Sequence, residues 1–482
     1  MTILHRIFTR RAFFYSMILI SCLFGAGISC SNKNNPPTTS NTTPASLNSI
    51  NHIVVIYLEN HSFDNLYGEF PGANGISNAT AAEYTQIDSN GNPYTNLPLP
   101  INTSSSGAPT GKPDPRFPGP FANKYFNLDT YVNTSADIGD LVHRYYQEQI
   151  EIDGGKMDKY AVTEDAKGLT MGYWHTSDLV LAKYATNGVL CDNYFHSAFG
   201  GSFLNHQWLI AAATPQWASA PASVRAVVTN GVMTKDGFVT PDGHLINTCY
   251  SVNHPYATFA ADSLHVPSIT GVTTIGDQMN AANVSWAWYS GGWWNALAGH
   301  PDGTFQFHHQ PFAYYAQFAD GTAQKAKHLL DETTFDSACV NGTLPSVSFV
   351  KPLGINNEHP GYTSLAVGEQ HIDSLITNVI MKSPQWDSTL IIITYDEHGG
   401  EWDHVAPPLM ANDAVHADIW GPGSRVPCIL YCGNAAFLKA GTVDHTYYET
   451  SSILALIEKR FSVGNLNSRD KVSTPFIGAF NF

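Results

Sequence analysis

Ile53-Val54-Val55-Ile56-Tyr57-Leu58 is an apolar run without a charged interruption, and Glu59-Asn60-His61-Ser62-Phe63-Asp64-Asn65 follows it directly. An alternating strand would bury one face only. Continuous apolarity rich in β-branched residues marks a strand covered on both faces, as in a parallel sheet sheathed by helices. Further runs have the same character: Gly188-Val189-Leu190-Cys191, Ser285-Trp286-Ala287-Trp288-Tyr289, Val347-Ser348-Phe349-Val350, Leu390-Ile391-Ile392-Ile393-Thr394 and Cys428-Ile429-Leu430-Tyr431. Helical patterns fall between them, at about 136–152, 174–187, 203–213, 273–282, 323–331, 363–382 and 448–461. Strands alternating with helices predict an α/β fold, a three-layer α/β/α domain with a doubly wound, mainly parallel sheet, over residues 50–482. The Gly-, Pro-, Asn- and Thr-rich stretches 69–135 and 214–272 read as long loop insertions, a length usually tied to function.

Composition narrows the function. The chain has 482 residues, with 24 Lys+Arg against 40 Asp+Glu and a formal net charge of −16. Charged residues make up 13% and hydrophobic ones 43%, which excludes a disordered or coiled-coil chain. Binding nucleic acid requires clustered Lys and Arg to neutralise phosphates, so the acidic balance argues against that class. It does not exclude an enzyme of phosphate esters, because a metal ion can supply positive charge locally.

The N-terminus reads as an address. Arg6, Arg10 and Arg11 precede an almost wholly apolar run over 12–28, which predicts an export signal over 1–29. Gly27-Ile28-Ser29-Cys30 and the polar run after it resemble a bacterial lipoprotein signal. That predicts a lipid anchor at Cys30, membrane contact through it, and a flexible tether over 30–49. The alternative is an ordinary cleaved signal ending near Ser29. Both send the protein to the cell envelope (periplasm or outer membrane) or outside the cell. Cys191, Cys249, Cys339, Cys428 and Cys432 form no CxxC, which argues against a Cys-type zinc or redox site. Cys428 and Cys432 would lie about 13 Å apart along one strand, too far for a disulfide. Cys249 with Cys339 remains a conceivable pair, and most of these residues read as buried thiols.

In such sheets ligands bind beyond the carboxyl ends of the strands. Glu59 and Asn60 follow the first run, and Asp396-Glu397-His398-Gly399-Gly400 follows Leu390–Thr394. Adjacent carboxylates at a buried strand end repel each other unless a cation compensates. With Glu59 and the amide oxygen of Asn60 they form a hard, oxygen-rich shell for a divalent metal. Separately hydrogen-bonded surface acids are the competing reading. Gly200-Gly201-Ser202 opens the apolar helical run after Phe195-His196-Ser197-Ala198-Phe199. Ser202 is an N-cap on the plain reading. The same place offers helix N–H groups to an anion, and a metal on its oxygen would make it a nucleophile. Among twenty His, His143, His308, His309, His359 and His404 lie in loops, where imidazoles can bind a phosphoryl group or protonate a leaving alkoxide.

The segment from Asn51 through Glu59-Asn60-His61-Ser62-Phe63-Asp64-Asn65-Leu66-Tyr67-Gly68 resembles the opening motif of the bacterial phosphoesterase family that joins acid phosphatases and phospholipases C. Thr394-Tyr395-Asp396-Glu397-His398-Gly399-Gly400 with Asp403-His404-Val405 resembles its closing metal motif. Gly421-Pro422-Gly423-Ser424-Arg425-Val426-Pro427 and Val443-Asp444-His445-Thr446 also match. The resemblance implies an alkaline-phosphatase-like fold with one active-site divalent metal, held by Glu59, Asn60, Asp396 and Glu397 and completed by Ser202 as nucleophile. It implies that His143, one of His308 and His309, and His359 contact the phosphate or leaving group. Gly200-Gly201-Ser202-Phe203-Leu204-Asn205-His206-Gln207 resembles the acid-phosphatase branch. Hydrolysis of phosphate monoesters through a phosphoserine is therefore the first expectation, and phospholipase C the alternative. A serine esterase would need Gly-x-Ser-x-Gly, which Gly200 to Leu204 lacks. A non-catalytic, glycan-binding envelope lipoprotein would account for the Trp and Tyr content but not for polar clusters after buried strands.

Overall fold

The computed structural model describes residues 46–103 and 110–482. The expected export signal, Cys30 and most of the expected tether lie outside the described residues. Residues Leu47–Ser49 form a 3-10 turn, and Arg460 donates to the carbonyls of Ile50 (2.5 Å) and Asn48 (3.2 Å).

An eight-stranded sheet forms the centre. Its strands are β1 (His52–Leu58), β2 (Val189–Cys191), β3 (Trp286–Ser290), β4 (Leu329–Asp331), β5 (Val347–Lys351), β6 (Thr389–Tyr395), β7 (Cys428–Cys432) and β8 (Thr442–Asp444). In space the order is β4-β3-β5-β1-β6-β7-β2-β8. All neighbours are parallel except β7, which runs antiparallel to both β6 and β2. Every residue of β6 is buried, as are all but the first of β1. Because successive side chains point to opposite faces, both faces must be covered. The α/β/α layering and the six strands expected from sequence are therefore present.

Helices α1 (Tyr145–Ile152), α2 (Ser202–Ala211), α3 (Glu332–Asn341) and α4 (Thr450–Phe461) matter most for the site and its support. α2 and α4 pack on each other, and α3 packs on β3, β4 and β5. The structure corrects several helix boundaries. The pattern at 136–152 is helical only from Tyr145 onward. Ahead of it, Glu164 holds the Val142 N–H (2.8 Å), the His143 ring bonds the Leu141 carbonyl (2.6 Å), and Arg144 is extended. The pattern at 174–187 is helical only over Ala182–Asn187, apart from a 3-10 turn. That at 323–331 stops at His328, and its last three residues become the edge strand β4. The two loop-rich stretches hold short strands, turns and single-turn helices. All five described cysteines are free and buried, so Cys249 and Cys339 are not paired.

Candidate active site and metal centre

Parallel pairing brings the carboxyl ends of β5, β1 and β6 side by side. Leu58 pairs with Tyr395 in register, and Ile56 with Val350. Glu59 and Asn60, Asp396 and Glu397, and Lys351 consequently emerge together at the carboxyl ends of these central strands. All five are essentially buried.

Ser202 meets them from the first turn of α2. Its Oγ stands 3.0 Å from Glu59 Oε2, 3.4 Å from Asn60 Oδ1 and 3.4 Å from Glu397 Oε1. One hydroxyl proton can serve only one of those oxygens. Asp396 Oδ1 accepts from the N–H groups of Asn60 (3.2 Å) and Glu397 (2.9 Å), which leaves its other oxygen buried without a hydrogen bond. Asn60 holds a positive φ of 63°, a conformation uncommon for a residue with a Cβ and found where function demands it.

The Asn60 amide reports what this cluster requires. Its oxygen lies 2.7 Å from Glu397 Oε1 and 3.2 Å from Glu59 Oε2, acceptor against acceptor, while its nitrogen lies 3.0 Å from His359 Nε2. Swapping the amide would satisfy those oxygens only if His359 Nε2 carried a proton. His359 Nδ1, however, lies 2.6 Å from the Pro360 carbonyl and must donate to it. Burial also holds the ring's pKa below its ordinary value, so it is neutral and its Nε2 is an acceptor. His143 has the same arrangement: Nδ1 lies 2.6 Å from the Leu141 carbonyl and Nε2 lies 3.4 Å from the Asn60 nitrogen. Both rings therefore fix the amide with its nitrogen outward and its oxygen inward. Four oxygens then face one another with one hydroxyl proton among them, which is the environment of a hard cation.

Charge leads to the same result. Burial, and then Glu59, push Asp396 well above the carboxylate range; burial, and then Asp396, do the same to Glu397. Burial acts on Glu59 too, but His309 and Lys351 hold it well below that range. Three carboxylates against the Lys351 ammonium leave two negative charges, the complement of one divalent ion. The residues present fit the metal.

Above this floor lies a cavity of about 260 Å³ lined by Ser202, His143, His308, His309, His359 and Arg144, among others. The structure separates the two histidines left open by the sequence. His309 Nε2 lies 2.9 Å from Glu59 Oε1, a charge contact without hydrogen-bond geometry, whereas buried His308 has an Nδ1 with no hydrogen-bond partner and no carboxylate against it. Burial pushes His308 well below its ordinary pKa and His309 down to about 4. For His308 desolvation favours the neutral ring, an N–H donor or acceptor, while His309 faces the Glu59 carboxylate.

The glycines have steric reasons. Gly200 has φ +85°, and a Cβ there would collide with the Tyr145 backbone. A Cβ on Gly201 would lie 2.6 Å from the His143 carbonyl. This close approach is what brings His143 and Ser202 into one pocket. His404 does not join them: with Asp64 and Asp403 it surrounds the buried Arg425 guanidinium, tying the opening motif to the closing one.

Sequence reading missed Lys351, His206 and Glu148. Lys351 had a usable signal, a lone charge at the end of an apolar run, the position Glu59 and Asp396 also hold. His206 lies four residues after Ser202, hence on the same helix face. Glu148 had no signal beyond being acidic.

A family model described as Phosphoesterase family matches residues 50–464. Phospholipase C A from Mycobacterium tuberculosis is 25% identical over 480 residues, covering 91% of this chain and 78% of that protein. Non-hemolytic phospholipase C from Pseudomonas aeruginosa is 22% identical over 470 residues, covering 90% of this chain but 58% of its own length. Among solved structures, a protein in the alkaline phosphatase superfamily from Vibrio parahaemolyticus aligns with 64% of this chain and 65% of its own, at 9% identity and a TM-score of 0.33.

Proposed function

The chain belongs to the Phosphoesterase family, whose members hydrolyse phosphoric ester bonds, and on that basis we propose that it is a metal-dependent phospholipase C cleaving phospholipid phosphodiesters through Ser202. The observation carrying the proposal is the Ser202 hydroxyl set among the oxygens of Glu59, Asn60 and Glu397 at the floor of a histidine-lined pocket. A serine esterase would have no use for that oxygen cluster, nor would a glycan-binding lipoprotein. The relatives favour the diester over the acid-phosphatase reading suggested by Gly200 to Gln207, since those matched across nine-tenths of the chain are named phospholipase C.

Glu59, Asn60, Asp396, Glu397 and Ser202 would hold one divalent ion. When bound, it supplies the positive charge that makes a serine hydroxyl acidic enough to attack phosphorus and offsets charge on the phosphoryl oxygens. The protein does the rest. α2 presents Ser202 at its N-terminal end, where unbonded N–H groups face the incoming anion. His308 offers a neutral ring N–H to a phosphoryl oxygen. His143, about a fifth exposed along its side chain, is placed to exchange the leaving-group proton with water, and Arg144, ion-paired with Asp236, lines the pocket beside it. His359 and His143 orient Asn60. A cavity of about 260 Å³ admits the phosphate and a small headgroup, so the acyl chains would remain outside.

The test compares p-nitrophenyl phosphorylcholine with p-nitrophenyl phosphate, each with and without a chelator. Turnover of the diester, abolished by chelation and restored by a divalent salt, is expected. Turnover of the monoester alone would return the protein to the phosphatase reading. Turnover unaffected by exhaustive chelation would refute the metal centre.

A further inference from the structure

Glu59 divides its two oxygens between different surroundings. Oε2 faces Ser202 Oγ in the oxygen cluster, whereas Oε1 contacts Lys351 Nζ and His309 Nε2. On that second side the buried ligand atoms go beyond the oxygen cluster. Ligand atoms of Glu59, His206 and His309 lie within 4.8 Å of one another, and all three residues are buried. His206 Nδ1 bonds the Ser202 carbonyl (2.7 Å), which leaves a buried Nε2 lone pair with no partner. Asp396 Oδ2, also without a hydrogen bond, lies 3.7 Å from His206 Nδ1, the nitrogen already committed to Ser202. Two imidazoles and a carboxylate this close together are an ordinary donor set for zinc or another transition metal. The His206 and His309 rings stack with planes 3° apart, so the donors are already ordered.

A fixed charge stands against the Glu59 member of this set. Lys351 is fully buried, its ammonium paired with Glu59, 3.3 Å from the Leu58 carbonyl and over the Tyr57 ring. We propose that the Lys351 ammonium occupies the position a second divalent cation would take against Glu59, His206 and His309, and so restricts the centre to one metal ion. An ammonium is a point charge on a tether that cannot dissociate. It balances one of the three carboxylates permanently and leaves two negative charges for an exchangeable divalent ion. It also confines Glu59 to one oxygen towards that ion. Lys351 is thus a positioning residue that sets metal stoichiometry.

The inference rests on the oxygen cluster being a metal site, and metal counting separates the two claims. Purified protein is stripped, loaded with excess Zn²⁺ or Mn²⁺, desalted and analysed for bound metal, and crystals of the loaded protein are examined by anomalous scattering. Wild type is expected to hold one ion. Lys351→Met keeps the length and removes the charge; it should hold two, the second beside Glu59, His206 and His309. Lys351→Arg, which retains a cation, should stay at one, and adding His206→Ala to Lys351→Met should return the count to one. Two ions in wild type, or one in a folded Lys351→Met, overturns the inference while leaving the oxygen cluster a metal site. If Lys351→Met does not fold, Lys351→Gln is judged by the same count; should neither fold, the role shifts from stoichiometry to folding and the inference is rejected. No metal in wild type overturns the reading of the oxygen cluster and the inference with it.

Discussion

Glu148 on α1 offers the sharpest test of how the turn ahead of Ser202 is held. It is fully buried. Its Oε1 accepts from the Ser424 N–H (2.8 Å) and hydroxyl (3.0 Å) and from His196 Nε2 (2.9 Å). Its Oε2 accepts from the Gly200 N–H (2.5 Å), two residues before Ser202. Burial alone would raise this carboxyl, but His196, then His398, and the bonds from His196 and Gly200 hold it at about 2 against an ordinary 4.5. The folded pKa is depressed. Its stabilisation is therefore fully present above pH 4.5 and lost as pH falls from there towards 2. At 1.36 kcal/mol per unit, the shift corresponds to about 3 kcal/mol. That agrees with losing hydrogen bonds to a charged acceptor, each worth about 1.5–3 kcal/mol. Glu148→Gln turns an acceptor into a donor facing donors. Urea unfolding at pH 7 should find it about 3 kcal/mol less stable than wild type, with the gap closing as pH approaches 2. Turnover should fall mainly in kcat, because Ser202 loses the anchor of its turn while the pocket walls remain. A folded Glu148→Gln with wild-type stability at pH 7, or a gap that does not change between pH 5 and 2.5, would rule out this role for Glu148.

Ser202→Ala should lower turnover on the order of 10³-fold or more while keeping its metal, since four ligands remain; near-normal turnover would make water the nucleophile. Asp396→Asn keeps size but removes one of three carboxylates, so bound metal and activity should fall together, read by metal analysis beside kinetics. His308→Ala and His309→Ala should differ. The first should lose roughly 10²-fold in kcat with metal retained, and the second should release metal more readily, because His309 contacts Glu59; equal metal retention in both would undo the separation of the pair.

The main sheet was readable in advance because its strands are buried on both faces, and burial writes itself into sequence as unbroken apolar runs. The edge strands β4 and β8, three residues each, leave no such run. Leu329-Leu330-Asp331 passes equally for the end of a helix. Helix starts were the weakest feature. Ahead of α1, the Val142 N–H is held by Glu164, 22 residues away, a contact that local pattern cannot encode. The division between His308 and His309 was likewise hidden, since neighbours in sequence differ only in which buried atom each one faces.

The strand ends and the residues on them were written in the chain itself: Glu59 and Asn60 after one apolar run, Asp396 and Glu397 after another, and Ser202 opening a helix. Apolar burial fixes the strands, and chain direction fixes which residues come after them. Three further outcomes came with assembly alone: these groups share one point, His143 and His359 turn the Asn60 oxygen inward, and Lys351 stands against Glu59. They depend on pairing β5, β1 and β6 in parallel register, on the close approach that Gly200 and Gly201 permit, and on which ring nitrogen a neighbouring backbone carbonyl claims. The contacts between these elements join residues far apart in sequence, 299 positions for His359 and Asn60 and 336 for Asn60 and Asp396, and they arise only when the sheet is assembled.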